Sequence, residues 1–178
     1  MQIEYKKIDE NILKDIFVKY GEMAKNHIYL NDDSISIAVL RDNVPVGFIC
    51  AYIEQFTPPL YEDKDVCISI IEVDEQYRRQ GIGSKLVDFA EKWAAKNGFS
   101  QIRAWSSEDK IEAIPMWRKL GYCMCPAKIW VEWCKEIVDG YHVAKKLSPI
   151  ADNQFLHGQN IFRNSRKSKS DWTKQAGK

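Results

Sequence analysis

Apolar residues recur at helical spacing in three stretches of this chain and crowd together or alternate, as strands do, in seven others. Ile12, Leu13, Ile16, Phe17 and Tyr20 form one stripe along a helix predicted over Asn11 to Lys25. Ile82, Leu86, Phe89, Ala90 and Trp93 form another, which Asn97-Gly98 ends. A third, short helix is predicted to start near Ala113, where Pro115 falls in a first turn that needs no N–H from it; Asp109 to Glu112 reads as an acidic cap before it.

Strand-like runs cover Ile3 to Ile8, Ser34 to Leu40, Val46 to Gln55, Cys67 to Val73, Gln101 to Trp105, Lys128 to Cys134 and Gly140 to Leu147. Asp42-Asn43 suits a tight hairpin turn between the second and third. Two prolines mark Thr57 to Asp65 as a loop, because proline cannot serve a central ladder. From Ser148 onward the periodicity is lost. The expected organisation is one α/β (α+β) domain over residues 1–147 and a basic tail over 148–178, whose polar composition predicts disorder.

The junction between the fourth strand and the second long helix carries the chemistry. Arg78-Arg79-Gln80-Gly81-Ile82-Gly83 places glycines and two cations at a helix start, where backbone N–H groups lack internal partners and the helix dipole favours an anion. A phosphate suits such a turn. A dinucleotide fingerprint would add a third glycine and an acid about 20 residues on, and Ile102 to Trp105 offers no acid. The plainer alternative is that Gly81 and Gly83 only punctuate a turn.

Composition narrows the setting. The 178 residues are 45% hydrophobic with formal charge +1, so no global field favours nucleic acid or membrane. The region from Asp152 holds six basic residues against two acids, a weak footprint for nucleic acid or anionic lipid. Five cysteines (Cys50, Cys67, Cys123, Cys125, Cys134) form no paired framework, which fits a reducing cytoplasm. Cys123-x-Cys125 lacks the second pair of a zinc site, so no metal is expected and these thiols read as structural. No apolar stretch approaches the roughly 20 residues that span a bilayer.

The residues around the junction resemble the GNAT (Gcn5-related N-acetyltransferase) superfamily. Its pyrophosphate loop reads Arg/Gln-x-x-Gly-x-Gly/Ala, filled here by Arg78, Gly81 and Gly83, and Val73-Asp74-Glu75-Gln76-Tyr77 stands where the family has Val-x-Pro-Glu-Tyr. Further on, Glu112 to Tyr122 (EAIPMWRKLGY) resembles the family's Ala-Ile-x-Leu-Tyr-Glu-Lys-Leu-Gly-Phe. The resemblance implies a mixed, mainly antiparallel sheet flanked by helices, with fourth and fifth strands splayed to admit acetyl-CoA as acyl donor. It implies that backbone groups of Ile71 to Val73 hold the pantetheine arm and the reacting carbonyl, and that the N–H groups of Gln80, Gly81, Ile82, Gly83 and Ser84, with Arg78 and Arg79, hold the pyrophosphate. The implied activity is N-acetylation of a primary amine of a small molecule or peptide, by a chain that admits a homodimer. A non-catalytic acyl-CoA-binding module is the alternative, and a tail-mediated interaction protein a third.

Departures from the family pattern concern catalysis. The register set by Leu120-Gly121-Tyr122 puts Trp117 where many relatives have a general-acid tyrosine, Trp105 where some have a glutamate base, and Lys110 where an asparagine is common. An ordinary amine of pKa near 10.4 is less than roughly one part in a thousand neutral at pH 7, so a base is needed. Glu72, at the strand end, is the expected base, with an ion pair to Arg78 or Arg79 as the competing role; Tyr122, Glu108 and Tyr77 are lesser candidates. For the acceptor side, Glu22, Asp32, Asp33, Glu54, Glu62, Asp63 and Asp65 suggest a field that concentrates cationic amines.

Overall fold

The structure, a computed structural model, describes residues 3–56, 59–60, 63–108, 112–131 and 135–148. The tail expected after Ser148, the acidic cap at Asp109, Lys110, Glu62 and Cys134 lie outside these. Among the described residues seven strands form one sheet in the order β1-β2-β3-β4-β5-β7-β6. They are β1 (Ile3–Lys7), β2 (Ser34–Arg41), β3 (Val44–Gln55), β4 (Lys64–Val73), β5 (Gln101–Ser107), β6 (Cys123–Val131) and β7 (Glu136–Lys146). Every neighbouring pair is antiparallel except β4–β5.

Strand alternation divides the core. Ile37 and Val39 of β2, Ile49 and Ala51 of β3, and Val66 and Ile68 of β4 pack under α3 (Ile82–Lys96) and α4 (Ala113–Lys119). Ala38, Leu40, Phe48 and Cys50 point the other way, under α1 (Glu10–Tyr20) and α2 (Glu22–Lys25). The stripe expected on the first helix is the one buried here: Ile16 is fully enclosed, with Ile12, Leu13, Phe17 and Tyr20 around it. Asp9 caps that helix by accepting from the Asn11 and Ile12 N–H groups, both at 2.9 Å.

Several boundaries differ from the sequence expectation. The helix expected over Asn11 to Lys25 is broken at Gly21, whose φ of 69° turns the chain and starts a second short helix. β4 begins at Lys64, inside the expected loop, because Asp65 finds buried partners there. β6 begins at Cys123 and β7 at Glu136, both earlier than expected. Their register pairs polar residues such as Lys128 with Asp139, so apolar patterning did not mark the start. The Asp42-Asn43 turn forms as expected, with positive φ at both residues, and Pro115 sits in the first turn of α4.

Candidate active site

β4 is irregular on both edges, and this opens the site. On the β3 side, Cys50 pairs with Ile70 and Ala51 with Ile68, which leaves Ser69 without a partner as a bulge. The bulge exchanges the two faces of the strand: Val66 and Ile68 before it, and Ile71 and Val73 after it, all join the same core. On the β5 side only Val66–Ile102 and Cys67–Arg103 pair. Beyond Cys67 the two strands part, and the β4 edge from Ile68 to Val73 carries backbone groups with no strand opposite among the described residues.

An ion pair between the buried Asp65 and the half-buried Arg103 pins the apex of this fork. Asp65, 1% exposed, accepts from Gln101 Nε2 at 2.9 Å, from Arg103 Nε at 3.1 Å and from the Val66 N–H at 2.8 Å. Arg103 also pairs with Glu54 and lies over the Phe56 ring. One carboxylate thus ties β4 to β5 where their short ladder ends.

At the open end of the fork stands the glycine turn. Arg79 (φ 59°) and Gly81 (φ 82°) take the left-handed conformation, which turns the chain into α3. Among the described residues no side chain caps that helix, and the first helical bond in its opening turn runs from Lys85 N–H to Gly81 C=O. The N–H groups of Ile82, Gly83 and Ser84 are therefore free to donate among the described residues, a donor set that fits a diphosphate. Gly83 plays a second role, since a Cβ there would meet Met116 Sδ of α4 at 3.0 Å.

Arg78 turns inward while Arg79 stays exposed. Arg78 Nε donates to the Val73 carbonyl at 2.8 Å, Nη1 to Glu112 at 2.6 Å and Nη2 to Glu72 Oε1 at 3.2 Å. Glu72 Oε1 also accepts from the Val73 N–H at 3.2 Å. Side chains thus occupy both backbone groups of Val73 at the mouth of the fork. Of the two expected roles for Glu72, the geometry contains the ion pair with Arg78.

On the α2 side of the sheet, His27 reaches the bulge: its Nδ1 lies 3.1 Å from Ser69 Oγ. Partial burial lowers its pKa below the usual 6.5, so the ring is neutral at pH 7. Nearby, Tyr20 donates to Asp74 at 2.5 Å, and burial with that bond pushes its phenol far up. Sequence reasoning missed His27. It read only as the end of a helix, and nothing local signals a contact with a strand residue 42 positions away.

The family model described as Acetyltransferase (GNAT) family matches residues 7–122. The chain belongs to the GNAT acetyltransferase family. Acetyl-CoA is the acyl donor that goes with it, and the free donors at α3 together with the open β4 edge suit its diphosphate and its amide-bearing arm. Among solved structures, Arabidopsis thaliana NAA60 in complex with a bisubstrate analogue is similar at TM-score 0.67 and 16% identity, over 84% of this chain and 100% of that one. Arabidopsis thaliana Naa50 in complex with the bisubstrate analogue CoA-Ac-MVNAL reaches 0.62 at 20% identity, over 83% and 100%. A putative streptothricin acetyltransferase from Bacillus anthracis str. Ames, in complex with acetyl coenzyme A, reaches 0.61 at 15%, over 82% and 100%. A search of curated protein sequences finds no match.

Within this GNAT fold the two tryptophans that depart from the family pattern sit on opposite faces of the sheet. Trp117 is 2% exposed in the core beneath α4, its ring edge-on to Tyr122 with centroids 4.8 Å apart. Neither its indole N–H nor the Tyr122 hydroxyl has a hydrogen-bond partner among the described residues, and burial, reinforced by Glu91, pushes the Tyr122 phenol far up. Trp105, 37% exposed, alternates with the core residues Ile102 and Ala104 and so faces the α2 side. The two rings do not meet across a channel.

The acceptor-side acids are fewer than the sequence count suggested. Asp65 is buried and paired, Glu54 is held by Arg103, and Glu22 lies 3.5 Å from Lys25; Asp32, Asp33 and Asp63 remain exposed. Cys50 and Cys67 are buried, as expected of structural thiols, whereas Cys123 and Cys125 are exposed on β6, where both point away from the core. Among the described residues no three His, Cys, Asp or Glu side chains come together as metal ligands, and no helix is long and apolar enough to cross a membrane.

Proposed function

We propose that this GNAT acetyltransferase moves the acetyl group of acetyl-CoA to a primary amine. The observation that carries the reading is the fork between β4 and β5 ending beside an uncapped helix start. In this reading the N–H groups of Gln80 to Ser84 and the exposed Arg79 take the diphosphate. The pantetheine arm runs along the free edge of β4 from Val73 toward Ser69, displacing the Glu72 and Arg78 side chains from the Val73 backbone. Backbone groups of Val73 and Glu72 bond the amides of the arm, and the β4 donors from Ile71 toward Ser69 face the thioester end and stabilise charge as its carbonyl becomes tetrahedral. Arg78, engaged by two carboxylates, holds the loop in place.

The acceptor is a small molecule or a peptide. Similar folds occur with bisubstrate analogues, one of them CoA-Ac-MVNAL, and in a putative streptothricin acetyltransferase. The chemistry common to both is a neutral amine attacking a thioester whose thiol leaves readily, with a pKa near 8.5. Release of free CoA, measured against a panel of small amines and amino-terminal peptides, tests the proposal. Amine-dependent release with a matching gain of 42 Da, about the mass of one acetyl group, on the acceptor nitrogen is expected; no release with any member of either class would overturn it.

A further inference from the structure

We propose that Ser69 and His27 form a proton relay for the acceptor amine, Ser69 Oγ receiving a proton from the amine as its own hydroxyl proton passes to His27 Nδ1. This inference rests on the acetyl-transfer reading above and names the base that reading needs.

Three features of the geometry support it. Ser69 is the bulged residue, without a β3 partner, two positions beyond the last β4–β5 pair. It therefore stands inside the fork, about four strand residues or ~13 Å from Val73, a span comparable to an extended pantetheine arm. Next, Nδ1 and Oγ lie 3.1 Å apart, within hydrogen-bond range, and in the Nε2–H tautomer of the neutral ring Nδ1 accepts from the hydroxyl. Finally, the segment bearing His27 is fastened across two strands, β2 and β3. Ala24 and Ile28 are buried on either side of it, the Tyr29 N–H meets Cys50 Sγ at 3.3 Å, and Ser34 and Ser36 donate to the Tyr29 carbonyl at 2.9 and 2.8 Å. Tyr29 and Tyr52 also pack at a 58° tilt with centroids 5.0 Å apart. A histidine in a loop with no such ties would have no fixed place at the bulge.

The proton and electron count closes without a further reactant. The ammonium gives one proton through Ser69 to His27, and the freed lone pair forms the N–C bond with the thioester carbonyl. As the tetrahedral adduct collapses, the C–S bond breaks, its electron pair leaves on sulfur, and the His27 proton returns to that thiolate. The second proton lost from nitrogen goes to solvent. The products are the amide and CoA.

Other titratable groups on this side are identifiable. On the helices these are Glu22 and Lys25, paired with each other, and Tyr20, bonded to Asp74. On the strands and the linking loop they are Tyr29, Cys50, Tyr52, Cys67 and the Arg78-bound Glu72. Burial raises Tyr20, Tyr52 and Cys50, and pushes Cys67 up to about 11, so these stay neutral through the range in which histidine titrates.

The test uses the full chain, an amine found active in the CoA-release screen, and the variants His27→Gln, Ser69→Ala and their combination. Each single variant is expected to lower kcat about 10²-fold at pH 7 while acetyl-CoA affinity by calorimetry stays within about twofold. The double variant should be no slower than the singles, since both remove one relay. The wild-type fall in kcat below pH 6.5 should be absent from His27→Gln. Retained kcat, losses that multiply, or an acetylated Ser69 peptide in the mass spectrum would overturn the relay and leave acetyl transfer standing. A wild-type protein that releases CoA with no amine would overturn both.

Discussion

Removing the Asp65 carboxylate should open the fork at its apex, and the cost follows from its partners. In Asp65→Ala, Arg103 Nε, Gln101 Nε2 and the Val66 N–H lose their acceptor at a site that is 1% exposed. Breaking a buried ion pair by deleting one partner typically costs about 3–5 kcal/mol, since the remaining charge is left unmatched. Glu54 offsets part of this by keeping a hold on Arg103, so a value near the lower end is expected. With a urea m-value of roughly 1–3 kcal/mol/M, ~3 kcal/mol moves the unfolding midpoint down by about 1–3 M. Glu54→Gln is the internal control. That carboxylate is about one-third exposed, and Asp65 still holds the guanidinium in its absence, so it should cost roughly 1 kcal/mol or less. Urea unfolding followed by tryptophan fluorescence measures both. An Asp65→Ala protein within about 1 kcal/mol of wild type, or a Glu54→Gln protein equally weakened, would refute the assignment of Asp65 as the fastening of the fork.

Arg79→Glu should weaken acetyl-CoA binding by about 10- to 100-fold, ~1–3 kcal/mol for reversing a charge beside a diphosphate in a solvated setting, with the deficit shrinking as salt rises; unchanged calorimetric affinity would remove this loop from the diphosphate site. Arg79 is a cleaner probe than Gly83, where any side chain first strikes Met116. Glu72→Gln should lower acetyl-CoA affinity, or the thermal midpoint, by freeing Arg78, with the kcat–pH profile keeping its shape; a loss of turnover that recovers as pH rises would instead make Glu72 the base and sink the His27 relay. Cys67, pushed up to about 11 by burial, has roughly one thiolate per thousand at pH 8, so alkylation resolved by mass spectrometry should label exposed Cys123 and Cys125 long before Cys67; equal rates would contradict the packing of β4. In the amine screen, cationic acceptors should show only a modest, salt-sensitive preference, because three of the acids once counted are neutralised by Arg103 or Lys25.

How much of this could be read from the sequence depended on whether a feature was local. The glycine turn, the helix after it, the Asp42-Asn43 hairpin and the late start of α4 all follow from a few neighbouring residues, and all stand where expected. The bulge does not. Its strand is apolar on both faces, so Cys67 to Val73 reads the same with or without an inserted residue, and alternation carries no parity to violate. Only the pairing with β3 shows that Ser69 is surplus, and only then is it fixed that Ile71 faces the core of Val66 and Ile68 while Ile70 faces the other. Residues that depend on the bulge inherit this invisibility. His27 gains its partner because Ser69 leaves the ladder, and Asp65 is buried because the adjoining strand β5 brings Gln101 and Arg103 against it. The same irregularity that hides the site from a sequence reader is what makes it one: a regular strand would pair along its whole length and leave no backbone for a substrate to take up. In a strand of this kind, the register breaks identify the working positions better than residue type does, and that is why a serine and a loop histidine of unremarkable sequence context carry the proposed chemistry.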